Sequence, residues 1–438
     1  MNTNALSEEA WRHYQLKYHI DRANAVKFGL RNADGTGVIV GVTGLGSAQG
    51  YMMLDGEPIP MPGRLYYRGI DIRQIIDAHV EEGSLGFGEV AYLLLMGELP
   101  AKHQLEYFQQ TLAEVQPPPR EFLDLLAMVK TPNLMNKLST AFTLLYSYDD
   151  DPDDPSFENL MRQSMEMTAW TPYIVGYCYC KQNGLAFRPP KPEYSLAENL
   201  LYMLRPDGEF QDGEARLLDI MLIIDAEHGG GTPSTFANRL LSSTGTDTYS
   251  ALSADISTLK SVRDGGVEIN AHCMYDNILK HVPNMKDEAA LADYLRRVRE
   301  GQANDGSGII YGIGHSLYTQ SDPRTILLKQ VARQVAEEKG YLKDLENLEV
   351  IERVALRVLA ENTPDPPVRC ASADMYLWLM YRMLDIPQEL YVPIATCAHV
   401  PAWCAHRIEE VVNGKVMLRP AYRCIAPRVD YVPMDKRG

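Results

Sequence analysis

A mainly α-helical, two-domain protein is what this sequence predicts, on three observations. The 438 residues are 45% hydrophobic and 23% charged, a globular balance that excludes a largely disordered chain. That length exceeds what one compact core usually serves, so two domains are expected. Beyond position 70 apolar residues recur every three to four positions, whereas strand-like patterning is confined to residues 38–68.

Each element follows from local chemistry. Val38-Ile39-Val40 and Tyr51-Met52-Met53-Leu54 are strand candidates, and Asp55-Gly56 is a hairpin turn signal. Gly41, Gly44, Gly46 and Gly50 imitate a dinucleotide loop, but Gln49 stands where the third glycine belongs and no helix follows. Helical segments then alternate with breaks at Pro117-Pro118-Pro119, Asp149 to Pro155, Pro189-Pro190 and Gly229-Gly230-Gly231. The acidic run from Asp149 to Asp154 lacks the spacing of a calcium loop and reads as a solvated connection. One helix begins near Asp247. Another starts with Asp322 as cap and Pro323 in the first turn, and Leu345 to Leu359 form an amphipathic helix.

Charge and composition bound the partners. Lys plus Arg number 42 and Asp plus Glu 58, a net charge of −16 that disfavours nucleic acid and anionic membranes. No apolar run of about 18 residues predicts a membrane span. Met1-Asn2-Thr3-Asn4 does not read as a secretory leader. Seven scattered cysteines suit a reducing, cytoplasmic setting, and Cys178 and Cys180 are too close for a usual zinc pair.

Four places break the amphipathic routine: Asp225-Ala226-Glu227-His228 before three glycines, Arg263-Asp264-Gly265-Gly266, Gly312-Ile313-Gly314-His315 with Asp322-Pro323-Arg324, and Asp374 opening a helix. Glycines beside His or Asp at helix ends let a ligand approach the backbone. Their order, together with Gly63 to Asp71, Glu89 to Pro100, Ser234 to Phe236, Ser242 to Ala251, Trp403 to Arg407 and Leu418-Arg419-Pro420, resembles the citrate synthase family over nearly the whole chain.

The resemblance implies a mainly α, two-domain helical fold with a short N-terminal β-hairpin region. It implies a large domain from residues 1–265 and 379–438, a small domain from 266–378, and a homodimer. It also implies a Claisen-type condensation of an acyl-CoA with a 2-oxo acid. Acyl-CoA is then a co-substrate, with no permanently bound cofactor and no metal. Such chemistry needs a base for a weakly acidic C–H, a donor to the enolate oxygen, a donor to the ketone and cations for the carboxylates. By the resemblance Asp374 is the base, His315 activates the ketone, and His228 and Arg324 bind the oxo acid. Arg419 adds a clamp across the dimer, and Gly312 and Gly314 border the CoA side.

Five positions depart from the family pattern. Asp264 replaces an enolate-stabilising histidine, Asp225 another histidine, and His399 an arginine; Ser316 and Thr319 replace basic residues. Three readings follow: Asp264 donates as a buried carboxylic acid, the site is retuned to another acceptor or donor such as a phosphonate-bearing or uncharged oxo acid, or the chain binds a ligand or partner without turnover. Asp225, His228 and Asp264, with His315 or His399, are also a conceivable metal-ligand set.

Overall fold

The computed structural model describes residues 26–437 apart from 33, 35, 362–366, 423 and 425–427. Met1 to Asn4, read above for a leader, lie outside the described residues. Contacts divide the chain into two compact units, Met1–Val42 with Arg419–Gly438, and Thr43–Leu418. The described part of the first unit holds two short 3-10 turns, Phe28–Leu30 and Met434–Lys436, and one bridge between Arg31 and Gly37. Val38-Ile39-Val40, expected as a strand, are irregular instead. Ile39 is 90% exposed, so β propensity alone, without a neighbouring ladder, has not made a strand there.

The second unit opens with an antiparallel sheet in the order β1 (Gly46–Leu54), β2 (Glu57–Tyr67), β3 (Ile70–Asp71). Asp55 and Gly56, with φ of 51° and 87°, form the two-residue turn their sequence predicts. The register slips between Gln49 and Tyr51, where Gly50 lets the loop at Leu317 approach.

Sixteen α-helices follow among the described residues. The first eight are α1 (Ile72–Glu82), α2 (Phe87–Met96), α3 (Lys102–Glu114), α4 (Arg120–Met128), α5 (Leu134–Leu145), α6 (Phe157–Gln182), α7 (Leu196–Leu204) and α8 (Asp212–Asp225). The rest are α9 (Pro233–Ser243), α10 (Thr248–Leu259), α11 (Val267–His281), α12 (Glu288–Arg299), α13 (Pro323–Lys339), α14 (Leu342–Ala360), α15 (Asp374–Met383) and α16 (Tyr391–Asn413). Side chains of Asp71, Asn133, Ser156, Ser195, Asp247, Asp287 and Asp322 cap seven of these helices. The core is built around α15 and α16, where Trp378, Tyr376, Tyr381, Tyr391 and Trp403 are buried.

Residues 234–251 fall on two helices, because Gly245 takes φ +82° and Asp247, where a helix start was expected, caps the second. One expectation needs refinement. The acidic run is not simply solvated. The Asp149 side chain is 4% exposed and holds Arg162 at 2.7 Å and the Tyr249 hydroxyl at 2.7 Å, joining α6 to α10.

Candidate active site

Ends of α8, α13 and α15 carry predicted residues, and the start of α11 adds Glu268. Asp225 is the last residue of α8, Glu268 lies in the first turn of α11, Arg324 in that of α13, and Asp374 begins α15. These helices pack on one another, α8 against α13 and α15, and α11 and α13 against α15. Helix geometry therefore delivers short side chains to one cluster from distant parts of the chain.

The loop before α13 is fixed on both sides. The Gly314 N–H donates to the Cys370 carbonyl at 2.8 Å, and the Ser372 N–H donates to the Gly312 carbonyl at 2.9 Å. Gly312 has φ +79°, and a Cβ there would lie 2.7 Å from Met375 Cβ. Its conformation and closeness tie the His315 loop to the Asp374 helix. On the far side the Thr319 hydroxyl donates to the Gly50 carbonyl, and the Gly63 N–H donates to the Ser321 carbonyl at 3.1 Å. Thr319 is thus a strap to the hairpin; Ser316 beside it is exposed.

His315 has a defined tautomer. Its Nδ1 accepts from the N–H groups of Leu317 and Tyr318 at 3.1 and 3.2 Å, which leaves the ring proton on Nε2. The ring stacks on Tyr318 at 4.6 Å and meets His228 edge-on at 5.2 Å. His228 Nε2 lies 3.0 Å from the Tyr318 hydroxyl. Burial, followed by Arg324, His315 and His399, holds His228 well below the usual histidine range, so it is neutral.

Arg324 is gripped by Asp322 through contacts of 3.1 Å from Nε and 2.8 Å from Nη2. Asp322 also accepts the Arg324 N–H at 3.0 Å, so one carboxylate caps the helix and orients the guanidinium. Burial pushes Asp374 up despite Arg324, and Ser372 donates to it at 2.8 Å. Burial pushes Asp225 up to about 7, with Arg324 opposing and Asp374 and Asp322 adding. Burial pushes His399 down to about 4. It stacks on Trp403 at 5.3 Å and presents no fixed cation.

Asp264 is not directed to bulk solvent. Its Oδ2 is buried with no hydrogen-bond partner, while Ser234 at the start of α9 supplies a backbone N–H and a hydroxyl to the carboxyl group. Burial pushes it up to about 6, helped by the charge of Asp374. Glu268, 5% exposed, is pushed up by burial and then by Asp374, Asp225 and Asp264. Four carboxyl groups thus crowd one another, and two of them, Asp225 and Asp374, face the one arginine already engaged by Asp322.

The cluster contains His228, His315, Arg324, Asp374, Asp225, Asp264 and His399. Arg419 is exposed and belongs to the first unit. Among the described residues no three His, Cys, Asp or Glu side chains assemble as a metal-ion site, so the metal alternative has no support. All seven cysteines are free thiols. No helix of the described residues is long and apolar enough to cross a membrane.

The family model described as "Citrate synthase, C-terminal domain" matches residues 36–421. The citrate synthase of Synechocystis is 30% identical over 381 residues, covering 86% of this chain and 88% of that one. The chain belongs to the citrate synthase family. A 2-methylcitrate synthase of Shewanella oneidensis is 26% identical over 376 residues, covering 85% of this chain and 90% of that one. The citrate synthase structure from Thermotoga maritima superposes with a TM-score of 0.74 at 25% identity, covering 94% of this chain and 99% of the other. A Thermoplasma acidophilum citrate synthase, solved as a ternary complex with carboxymethyl coenzyme A and oxaloacetate, has a TM-score of 0.78 at 20% identity, with coverage of 94% and 99%. At that identity it shows the fold alone, and the citrate synthase fold is mainly α, as expected.

Sequence reasoning missed Tyr318, Glu268 and the grip of Asp322 on Arg324. Tyr318 and Asp322 sit within the segment already singled out, and Glu268 follows two residues after Gly266. A carboxylate opening a helix among apolar neighbours was the available signal.

Proposed function

We propose that this protein joins an acyl-CoA, acetyl-CoA in the first instance, to a 2-oxo acid and then hydrolyses the thioester. The observation that carries this reading is the His315 tautomer, which keeps an Nε2–H for a ketone oxygen on a loop tied to the segment that leads into Asp374. Membership of a family whose named relatives include citrate and 2-methylcitrate synthases supports it.

Asp374 takes a proton from the carbon next to the thioester carbonyl. The enolate carbon attacks the ketone carbon of the oxo acid, the ketone oxygen takes the Nε2 proton of His315, and the proton held by Asp374 returns to the ring through water, which restores both groups. Water then cleaves the thioester, releasing CoA and the free acid. Asp264, in its protonated form, donates to the enolate oxygen; one such donor is worth about 2.7–4 kcal/mol of barrier. His228, Arg324 and His399 bind the oxo acid, and Asp225 lines the same cluster. CoA runs along Gly312 and Gly314.

The crowding of Asp225, Asp264, Glu268 and Asp374 favours an acceptor with less negative charge than oxaloacetate, because a second carboxylate meets like charge at low dielectric. We further propose a homodimer in which Arg419 serves the neighbouring subunit, and a cytoplasmic location. The domains divide as 1–265 with 379–438, and 266–378. Closure of one on the other excludes water.

The test is free-thiol release from acetyl-CoA and propionyl-CoA with a panel of charged and uncharged 2-oxo acids. No release across the panel, in folded dimer, supports the second reading, a ligand-binding or partner subunit without turnover, which the same crowding also favours. Asp264→His separates them further: restored citrate formation marks a decayed site, and loss of a native activity marks a working Asp264.

A further inference from the structure

The turn that carries His228 is held by a buried polar chain that the reaction itself does not use. Glu227 and His406 are 2% and 0% exposed, and His406 Nε2 lies 3.1 Å from both carboxylate oxygens of Glu227. On its other side His406 Nδ1 lies 2.9 Å from Arg239 Nη1. A guanidinium only donates, so Nδ1 accepts and the ring proton sits on Nε2, directed at Glu227. Arg239 is in turn held by Glu409 at 2.8 Å and Glu410 at 3.1 Å, all three charges being largely buried.

At its other end the chain brackets His228. Glu227 Oε1 accepts the Gly229 N–H at 2.6 Å, and the Glu227 N–H donates to the Tyr67 hydroxyl at 3.3 Å. The Tyr67 hydroxyl donates to the Ile223 carbonyl at 2.8 Å. The peptide unit after His228 and the one before Glu227 are thereby fixed to rigid elements, α8, β2 and, through His406, α16. A Cβ at Gly46 would lie 2.3 Å from Glu227 Oε1, so the start of β1 closes directly over the carboxylate.

We propose that Glu227 and His406 are positioning residues for His228, with Arg239 setting the His406 tautomer, so that the imidazole meets Tyr318 and the oxo acid at one fixed angle. The role of the oxo acid in this statement rests on the function proposed above; the placement of His228 does not. His406 never touches the reacting atoms. It acts through one carboxylate and the turn that carboxylate closes, a linkage to which binding geometry is sensitive.

The test uses the full chain with His406→Leu, which removes the donor, and His406→Gln, which restores an N–H toward Glu227. Glu227→Gln, which turns one of the two oxygens facing the His406 N–H into a donor, is the second variant should His406→Leu fail to fold. Crystal structures report the His228 Nε2 to Tyr318 distance, and calorimetry reports Kd for oxaloacetate and for an uncharged 2-oxo acid. His406→Leu should carry His228 out of hydrogen-bond range of Tyr318 and raise Kd about tenfold, with the KM for acyl-CoA unchanged. His406→Gln should recover most of both effects. A turn and Kd unchanged in His406→Leu and Glu227→Gln, whatever happens to melting temperature, would overturn the proposal. If the unaltered protein binds no oxo acid and releases no CoA, the proposed function fails, while the His228 displacement still decides the positioning.

Discussion

Replacing Asp264 by Asn tests whether this carboxyl group is a strained member of the acidic cluster. The carboxyl is raised from 3.8 to about 6, chiefly by burial and then by Asp374. Below its unfolded value both states hold the proton, and its contribution to stability is fully present. As pH rises toward about 6 the unfolded chain releases that proton first, so stability is lost through this window and levels off above it. A shift of about two units corresponds to about 3 kcal/mol at most, at roughly 1.4 kcal/mol per unit. Partial exposure reduces this toward about 1 kcal/mol. Asn keeps an oxygen for the Ser234 N–H and removes the charge. Urea unfolding should therefore show Asp264→Asn as near neutral at about pH 4 and more stable than the parent by about 1–3 kcal/mol at about pH 8. An equal effect at both pH values, or a loss at the higher one, would refute the idea that burial and Asp374 strain this group.

Three further outcomes are expected. Asp374→Asn should lower CoA release by on the order of 10²–10⁴-fold with folding intact by circular dichroism, the range for a lost general base. If Asp264 donates its proton, the rate at saturating substrate should fall as pH rises through its value of about 6, and Asp264→Asn should remove that limb of the profile. Gly312→Ala places a side chain at φ +79° and 2.7 Å from Met375 Cβ, so it should cost about 1–3 kcal/mol in urea unfolding and weaken activity by shifting His315 against Asp374.

Much of the fold was legible because its signals are local. Asp55-Gly56 gives a turn wherever two strands flank it, Asp322-Pro323 starts a helix by its own chemistry, and Asp247 caps α10. The candidate residues were legible for a different reason: His, Asp and Arg next to glycines at helix ends are unusual, and their order matches a family. Val38 to Val40 failed because a strand needs a partner, which propensity does not supply. The solvated reading of the acidic run holds for its exposed residues but missed Asp149, which finds Arg162 and Tyr249, 13 and 100 residues away.

By itself the sequence determined the helical periods, the turn chemistry and the identity of the ionisable groups, all of which depend on residues within a few positions of one another. Only the tertiary structure decided their state. Asp225, Asp264 and Glu268 are ordinary acids in sequence and become reluctant ones where four helix ends meet, because desolvation and mutual repulsion exist only in the packed cluster. The tautomers of His315 and His406 were likewise unreadable, since each ring proton is assigned by a donor that the fold brings to the other nitrogen.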